Sequence, residues 1–452
     1  MRDLILIAAV FLCSLVALPR PVFGVLVFVC LGFLNPQSFA WGVARSLPLS
    51  QLLAIATMLG YSFCSERKRF PRQRELFLLL ALWGMFGIST LFAIYPQPAL
   101  SRLIFVSKIL LMVFVAMSLV NTPQRLQWLL RVIALILGFH GLKGGIFVIL
   151  SGGQHIVWGP EGSFLEANNA IGLALAMNIP LLLYLWKIET VAWLRWLIIA
   201  MLFFSYPAIL GTYSRGAWLG LAIVTVLLFL RSKHKFVLAP AAGIFALITI
   251  PFLSQIVPER MVQRYDILVN YEKDDSAISR FWNWEFCKRV GMAHPLTGGG
   301  FDYYNVDLYP IYYPEFVQRW GAQKIWSCHS TWYTIFGEHG FPGLLLWLGL
   351  LGSSFLSLRK LSFAVKDDGP LSWIPQCARM ISISLVSFII VGSFFDAAYF
   401  DLLYYLIGAI IILKEIARAT AAKAILPTSS RLVIDRPAAV TQMASVGLKR
   451  SH

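Results

Sequence analysis

The sequence predicts an all-α integral membrane protein with about twelve transmembrane helices and one long loop outside the cytoplasm. Hydrophobic residues make up 58% of the 452 positions, and charged residues make up only 13%. A soluble domain carries roughly 25% charged residues, so lipid must cover apolar surface that one soluble core could not bury. Several apolar runs also reach roughly 18–22 residues, the length that crosses a hydrocarbon layer of about 30 Å.

The apolar runs define the predicted spans in chain order. They lie near residues 4–18, 21–36, 48–64, 75–92, 102–120, 128–150, 167–186, 195–211, 216–231, 236–252, 329–357, 376–395 and 400–416. The first two runs are short for a full crossing and are separated by Pro19 and Pro21. If they cross once together, the chain has twelve spans and both termini lie in the cytoplasm. If each crosses, it has thirteen spans and an external N-terminus; we expect twelve.

Basic residues cluster between the apolar runs, and this predicts the orientation. The clusters fall at 65–74, 231–235, 358–368 and in the C-terminal tail. Short loops rich in Lys and Arg stay in the cytoplasm, and placing all of these clusters there lets the spans alternate without contradiction. The formal charge of +16 therefore reflects membrane topology. The chain has no soluble basic domain for nucleic acid, so its expected surroundings are membrane lipids.

The same alternation places four loops on the non-cytoplasmic face, at 93–101, 151–166, 211–216 and 253–328. The last loop is the longest, and its aromatic content predicts ordered structure on the membrane surface. The expected organisation is an N-terminal transmembrane bundle (1–252), the long loop region (253–328), C-terminal transmembrane helices (329–416) and a disordered cytoplasmic tail (417–452).

Motifs for metals and nucleotides are missing from the sequence. It has no CxxC pair, DxD, HExxH or GxxxxGK[ST] motif, so we expect no metal and no cofactor. A reaction outside the cytoplasm would then need a pre-activated substrate, such as a lipid-linked diphosphate sugar. Cys287 and Cys328 fall in the long loop, where they would either form a disulfide or remain two thiols.

Three residues at this face could do chemistry, and each has a structural alternative. Arg215, between two apolar runs, would either snorkel to headgroups or grip phosphate oxygens with its guanidinium. Arg280 lies among acidic and aromatic residues of the long loop, where a salt bridge is the alternative. His329 lies where the loop re-enters the membrane, as a general base for a hydroxyl or as a structural residue.

These segments together resemble the bacterial O-antigen ligase and polymerase superfamily. The most specific part is the ligase pattern of His, then Asn, Ser or Gln, nine residues, Gly, two residues, and Gly, Thr or Tyr. Here it is His329-Ser330, residues 331–339, Gly340, residues 341–342 and Gly343. A second stretch, 141–169, is similar to the exosortase-associated O-glycosylation ligases. The resemblance covers residues 1 to 416.

The resemblance implies a GT-C-like glycosyltransferase of the bacterial inner membrane with a periplasmic active site. Such an enzyme transfers a glycan from undecaprenyl diphosphate to a hydroxyl of the lipid A–core, without metal or ATP and with inversion. Arg215 and Arg280 would bind the diphosphate, and His329 would activate the acceptor hydroxyl. Lys108 and Lys143 are secondary phosphate candidates that could equally snorkel or pair inside the bundle.

Other functions remain open at this point. A polymerase of the same superfamily would join repeat units, and a protein O-oligosaccharyltransferase would use a Ser or Thr hydroxyl. A lipid or glycan transporter belongs to a different class. Transporters often contain internal repeats and binding sites at the bilayer midplane, but the sequence shows no convincing repeat and its notable charges gather at one face.

Overall fold

The computed structural model describes residues 2–64, 68, 70–232, 275–321, 327–363 and 371–425, and its regular elements in these ranges are all helical. The α-helices are α1 (Arg2–Ala17), α2 (Pro21–Leu34), α3 (Leu49–Phe63), α4 (Arg74–Leu91), α5 (Pro96–Leu119), α6 (Pro123–Leu150), α7 (Asn168–Ile188), α8 (Ala192–Leu210), α9 (Arg215–Leu230), α10 (Asp275–Ala293), α11 (Leu308–Tyr312), α12 (Pro314–Trp320), α13 (Thr331–Phe363), α14 (Trp373–Gly392) and α15 (Asp401–Ile425). Two short 3-10 helices, Pro36–Phe39 and Val43–Arg45, connect α2 to α3.

Seven of the described helices are long and apolar enough to cross a membrane, namely α4, α5, α6, α7, α8, α13 and α14. The shorter apolar helices are α2, α3 and α9. The described part of the chain is therefore all-helical, as predicted, and is consistent with a multi-pass membrane protein. The total of twelve spans and the GT-C-like fold stay predictions, and the expected span at 236–252 lies outside the described residues.

The helices before and after the long loop share one core. α13 packs on α4, and α14 packs between α7 and α9. One continuous set of buried apolar side chains accordingly runs from Val29 in α2 to Ile416 in α15. The C-terminal helices therefore complete the bundle that the N-terminal helices begin, and they bring residues far apart in sequence to the same end of it.

The described part of the long loop has a small core of its own, on the bundle end where α13 begins. It is made of aromatic and aliphatic side chains of α10–α12, with Phe286 and Tyr309 stacked at 4.0 Å between ring centroids. Cys287 and Cys328 form a disulfide, which decides the alternative that the sequence left open. The disulfide ties α10 to the residue just before His329.

α13 is broken near its first third, at a glycine of the ligase pattern. Gly340 has a φ of +64°, and Pro342 follows two residues later. A Cβ at Gly340 would lie 2.5 Å from the carbonyl oxygen of Pro295, so the loop after α10 could not pack there. The backbone conformation and the close approach both require glycine at this position.

Candidate active site

Arg215 is the first residue of α9 and follows a turn that the 151–166 loop holds in place. The N–H of Val157 donates to the carbonyl of Gly211 at 2.8 Å. The Ser214 hydroxyl caps α9 by accepting a backbone N–H of its first turn at 3.3 Å. The direction in which Arg215 leaves the helix is therefore set by a neighbouring loop and by a cap.

The surroundings of Arg215 favour an anion. The side chain is half-buried, and it lies in the first turn of α9, where the helix dipole already carries positive charge. An anion bound here would interact favourably with both the guanidinium and the helix N-terminus. The same turn packs against the end of α14, since a Cβ on Gly216 would lie 3.5 Å from the Cβ of Phe394.

Arg280 lies in α10, the helix that covers the start of α13. The disulfide between Cys287 and Cys328 fixes α10 there, and Trp284 stacks on Tyr333 of α13 with ring centroids 5.5 Å apart. Arg280 and Trp284 are four residues apart in a helix, so they lie on the same face. That face is the one that meets α13, and Arg280 is half-buried against it.

His329 lies between two anchored neighbours at the entrance to α13. The residue before it is in the disulfide. After it, Ser330 N–H donates to Oδ1 of Asp396 at 3.1 Å, and Thr331 Oγ1 donates to the carbonyl of Phe395 at 2.9 Å. His329 has a φ of +48°, a left-handed conformation that costs a non-glycine residue about 1–2 kcal/mol. Backbone strain of this kind concentrates at functional sites.

Two opposite charges act on the imidazole of His329. Burial lowers the pKa of His329 below its ordinary value near 6.5, the Asp396 carboxylate opposes this shift, and the Arg280 guanidinium adds to it. Burial therefore favours the neutral imidazole, the form that can accept a proton. α10 therefore brings a cation, and the α14–α15 turn an anion, into the electrostatic neighbourhood of His329.

Beneath this face lies a buried polar network that sequence reasoning did not find. Tyr399 OH donates to Oε2 of Glu338, and the backbone N–H of Asp302 donates to Oε1 at 3.1 Å. His339 places Nδ1 at 2.9 Å from the Ser89 hydroxyl and Nε2 at 2.6 Å from Tyr399 OH. Glu338 and His339 are only 1% and 0% exposed, so their polar atoms are occupied by protein partners rather than by water.

The network joins the loop after α10 to the break in α13. The His339 ring packs against Phe86 of α4 and Phe301 of the loop, with centroids 4.5 and 4.7 Å apart. The Ser89 hydroxyl donates to the carbonyl of Thr297 in the same loop at 2.5 Å. The sequence signal was present, because an ionisable pair inside an apolar span needs partners. Its partners come from distant segments that one sequence cannot pair.

Arg102 is a third arginine near this face that sequence reasoning missed. It lies in α5, with its guanidinium 5.6 Å from the centre of the Tyr399 ring. Burial raises the pKa of Asp302, and the charge of Arg102 opposes that shift, so the two side chains interact. Arg102 thus adds positive charge next to Tyr399 and Asp302, the two residues that bind Glu338.

The two lysines proposed as secondary phosphate ligands lie in different places. Lys108 is exposed halfway along α5, where snorkelling accounts for it. Lys143 has its Nζ 4.9 Å above the Phe39 ring, and it lines a cavity of about 260 Å³ together with His140 and residues 156–160. That cavity adjoins the loop that holds the Arg215 turn. Lys143 is therefore next to that turn, in a separate pocket.

The arrangement at the His329 face suits group transfer to a hydroxyl. It offers a neutral imidazole, a carboxylate nearby and guanidinium groups from α9 and α10, all at one end of the bundle. Within the described ranges, no group of three or more His, Cys, Asp or Glu side chains is placed to hold a metal ion. These residues can remove a proton and stabilise a negatively charged leaving group.

Comparison with known families places this site in context. Residues 1–190 match the model of a family of unknown function (DUF5935), and residues 198–348 match the model of the O-antigen ligases. A search of curated proteins finds no match. The second range contains Arg215, Arg280 and His329, together with the glycines of the ligase pattern. The match over residues 198–348 supports the O-antigen ligase superfamily for this part of the chain.

Proposed function

We propose that the protein transfers a glycan from undecaprenyl diphosphate to a sugar hydroxyl of the lipid A–core, at the periplasmic face of the bacterial inner membrane. The observation that carries the proposal is the neutral, anchored His329, with the Arg280 charge acting on it, at the bundle end where α9 presents Arg215. The reaction needs neither metal nor ATP, because the diphosphate is already a good leaving group.

In the proposed reaction, His329 takes the proton of the acceptor hydroxyl as its oxygen attacks the anomeric carbon of the glycan. A carbon–oxygen bond forms on one side while the bond to the diphosphate breaks on the other, so the configuration inverts. The departing diphosphate keeps the electron pair. Arg215 and Arg280 would bind its oxygens, and they would stabilise the transition state more than the ground state because the charge grows as the bond breaks.

Asp396 would assist from behind the imidazole. Its carboxylate is fixed by the Ser330 N–H and the Thr334 hydroxyl, so it holds its position when the imidazole becomes charged. A negative charge there favours the imidazolium that forms in the transition state. Asp396 is a positioning residue in this scheme, because it acts through the His329 segment.

Two features support a periplasmic site. Disulfides persist in oxidising compartments, and the pair Cys287–Cys328 adjoins His329. Arg231, at the opposite end of α9, marks a basic face of the kind that stays in the cytoplasm. With this orientation, the C-terminal end of α15 would lie in the cytoplasm.

The acceptor distinguishes this proposal from one of its alternatives, a protein O-oligosaccharyltransferase. The stretch 141–169, which resembles exosortase-associated O-glycosylation ligases, lies within residues 1–190, outside the ligase match. It contributes Lys143 and residues 156–160 to the 260 Å³ cavity beside the Arg215 turn. The transfer assay should therefore compare two acceptors, a Ser or Thr hydroxyl of a protein and a sugar hydroxyl of the lipid A–core.

The test is a reconstitution with purified protein, undecaprenyl-diphosphate glycan and either lipid A–core or a Ser/Thr-rich protein, with chelator and without ATP. Transfer to the lipid A–core that is lost in His329→Ala would support the proposal. His155→Ala is the matched control, since His155 is an exposed histidine on a loop at the same bundle end.

Product analysis then separates the functions. Transfer only to protein would replace the proposed acceptor, and extension of the lipid-linked glycan would indicate a polymerase. Unchanged transfer by His329→Ala would refute the catalytic assignment with any acceptor. A requirement for metal, seen as loss of transfer in chelator, would refute the mechanism.

A further inference from the structure

A second cavity lies at the end of the bundle opposite His329. It has a volume of about 1200 Å³ and is formed by the C-terminal ends of α7, α9 and α13 and the first turns of α14. Its polar lining includes Lys187, Arg231, Ser232, Arg359, Gln376 and Arg379. α9 alone has 16 residues and is about 24 Å long, so the cavity and the His329 face are a membrane's depth apart.

Four basic residues from four different helix ends meet at this cavity. No Asp or Glu is among its described lining residues. Arg231 reaches across to the next helix and donates to the carbonyl of Arg379 at 3.5 Å. Burial lowers the pKa of Arg231, and the charge of Arg379 lowers it further, so the two guanidinium groups are close. Cations gathered in this way stabilise a bound anion.

The cavity also has apolar lining residues. Leu228, Phe355, Leu356 and Met380 line it, and Leu356 is 51% exposed. Phe363, which also lines the cavity, is 81% exposed. An anion with an attached hydrocarbon chain would contact the basic and the apolar walls together, whereas a small soluble anion would contact only the basic ones.

Topology alone does not account for this arrangement. The positive-inside rule explains why these Lys and Arg residues lie on the cytoplasmic side. It does not explain why they lie close together, because basic residues scattered over that side would satisfy the rule equally well. Convergence on one cavity concentrates positive charge there, and this charge attracts an anion. Basic pockets between transmembrane helices are suited to phosphate headgroups of acidic lipids.

We propose that this cavity binds the phosphate headgroup of an anionic phospholipid, with its acyl chain along Leu356 and Met380. The lipid would join the ends of α7, α9, α13 and α14. Two of these helices begin at the opposite face with the Arg215 and His329 segments, so the bound lipid would stabilise the helix frame on which both depend. The inference is independent of the proposed reaction.

The first experiment is a lipid titration of the full chain in detergent, read by native mass spectrometry and by the thermal midpoint. Phosphatidylglycerol and cardiolipin are compared with phosphatidylethanolamine and with inorganic phosphate. We expect the anionic lipids to remain bound and to raise the midpoint, and the other two to do neither. Equal binding of phosphatidylethanolamine, or an equal rise with inorganic phosphate, would overturn the proposal.

The second experiment uses neighbouring residues of α13 as a matched pair. Arg359→Gln removes a lining cation, while Lys360→Gln removes an exposed cation that does not line the cavity. We expect binding of anionic lipid to weaken about fivefold in the first and to stay unchanged in the second. Arg231→Gln with Arg359→Gln should weaken it more than tenfold, by the same reasoning. Equal effects of Arg359→Gln and Lys360→Gln would show a diffuse charge effect and refute the site.

Discussion

His329 and His339 are the first and last residues of the same eleven-residue part of the ligase pattern, yet their surroundings differ in kind. His329 is half-buried on a left-handed backbone at the membrane boundary, with a carboxylate and a guanidinium acting on its ring. His339 is 0% exposed, and both of its ring nitrogens contact protein hydroxyls. In the proposed reaction the first exchanges a proton with the substrate, whereas the second is closed off by protein on all sides. Within one motif, we therefore expect His329 to act in catalysis and His339 to stabilise the fold.

The largest expected effect is on His329. His329→Ala should reduce glycan transfer by about 10²–10⁴-fold, because it removes the general base, and should leave the thermal midpoint nearly unchanged. The measurement is single-turnover transfer to the lipid A–core, with the midpoint of the same preparation. His155→Ala should behave as wild type in both. Loss of transfer together with a fall in the midpoint would mean that His329 is a structural residue.

His339→Ala should show the opposite pattern. It leaves the Ser89 and Tyr399 hydroxyls without their ring partner and opens a cavity between Phe86 and Phe301, which destabilises the fold by about 2–4 kcal/mol. The midpoint should fall by several degrees, while transfer per folded molecule changes less than in His329→Ala. If His339→Ala kept its thermal midpoint but lost transfer, His339 would have a catalytic role, and the two histidines would not differ in function as proposed.

The sequence offered candidate site residues, but it did not show which residues support them. Arg215 and His329 could be found because a charged or titratable residue beside an apolar run needs an explanation, and the ligase pattern supplied one. Asp396 could not be found, because its partners Ser330 and Thr334 are 66 and 62 positions away. The Glu338 network likewise depends on α4, the loop after α10 and the α14–α15 turn. Composition predicted the helices, and only the fold shows which segments meet.

Replacing the arginines by lysine should give the next largest effect. Arg215→Lys and Arg280→Lys keep the charge but lose the planar, bidentate grip on phosphate oxygens. We expect transfer to fall by about tenfold to a hundredfold in each, with alanine worse than lysine. The matched control is Lys288→Ala, an exposed cation of α10 that pairs with Glu285 at 2.6 Å. Similar losses in Lys288→Ala would point to damage of α10 instead of loss of phosphate contacts.

The pH dependence provides a sharper test of the charges around His329. Transfer needs the neutral imidazole, so it should fall as the pH drops through the pKa of His329. The Arg280 guanidinium lowers the pKa of His329, so in Arg280→Gln the fall of the transfer rate at low pH should move to higher pH. The Asp396 carboxylate raises the pKa of His329, so Asp396→Asn should move the acidic side of the pH profile to lower pH. If the pH profile of transfer moved in the same direction in both variants, this electrostatic arrangement would be contradicted.

Lys108 should give the smallest effect, and it tests where the site ends. This lysine is exposed halfway along α5, so snorkelling toward headgroups explains it without a role in phosphate binding. Lys108→Gln should therefore change transfer by less than about twofold, in contrast to the large loss expected for Arg280→Lys. The two variants are compared under identical donor concentrations, below saturation, where weaker donor binding shows most clearly. A tenfold loss of transfer in Lys108→Gln would mean that the donor also contacts the surface of α5. The phosphate contacts would then not be confined to the bundle end where His329 lies.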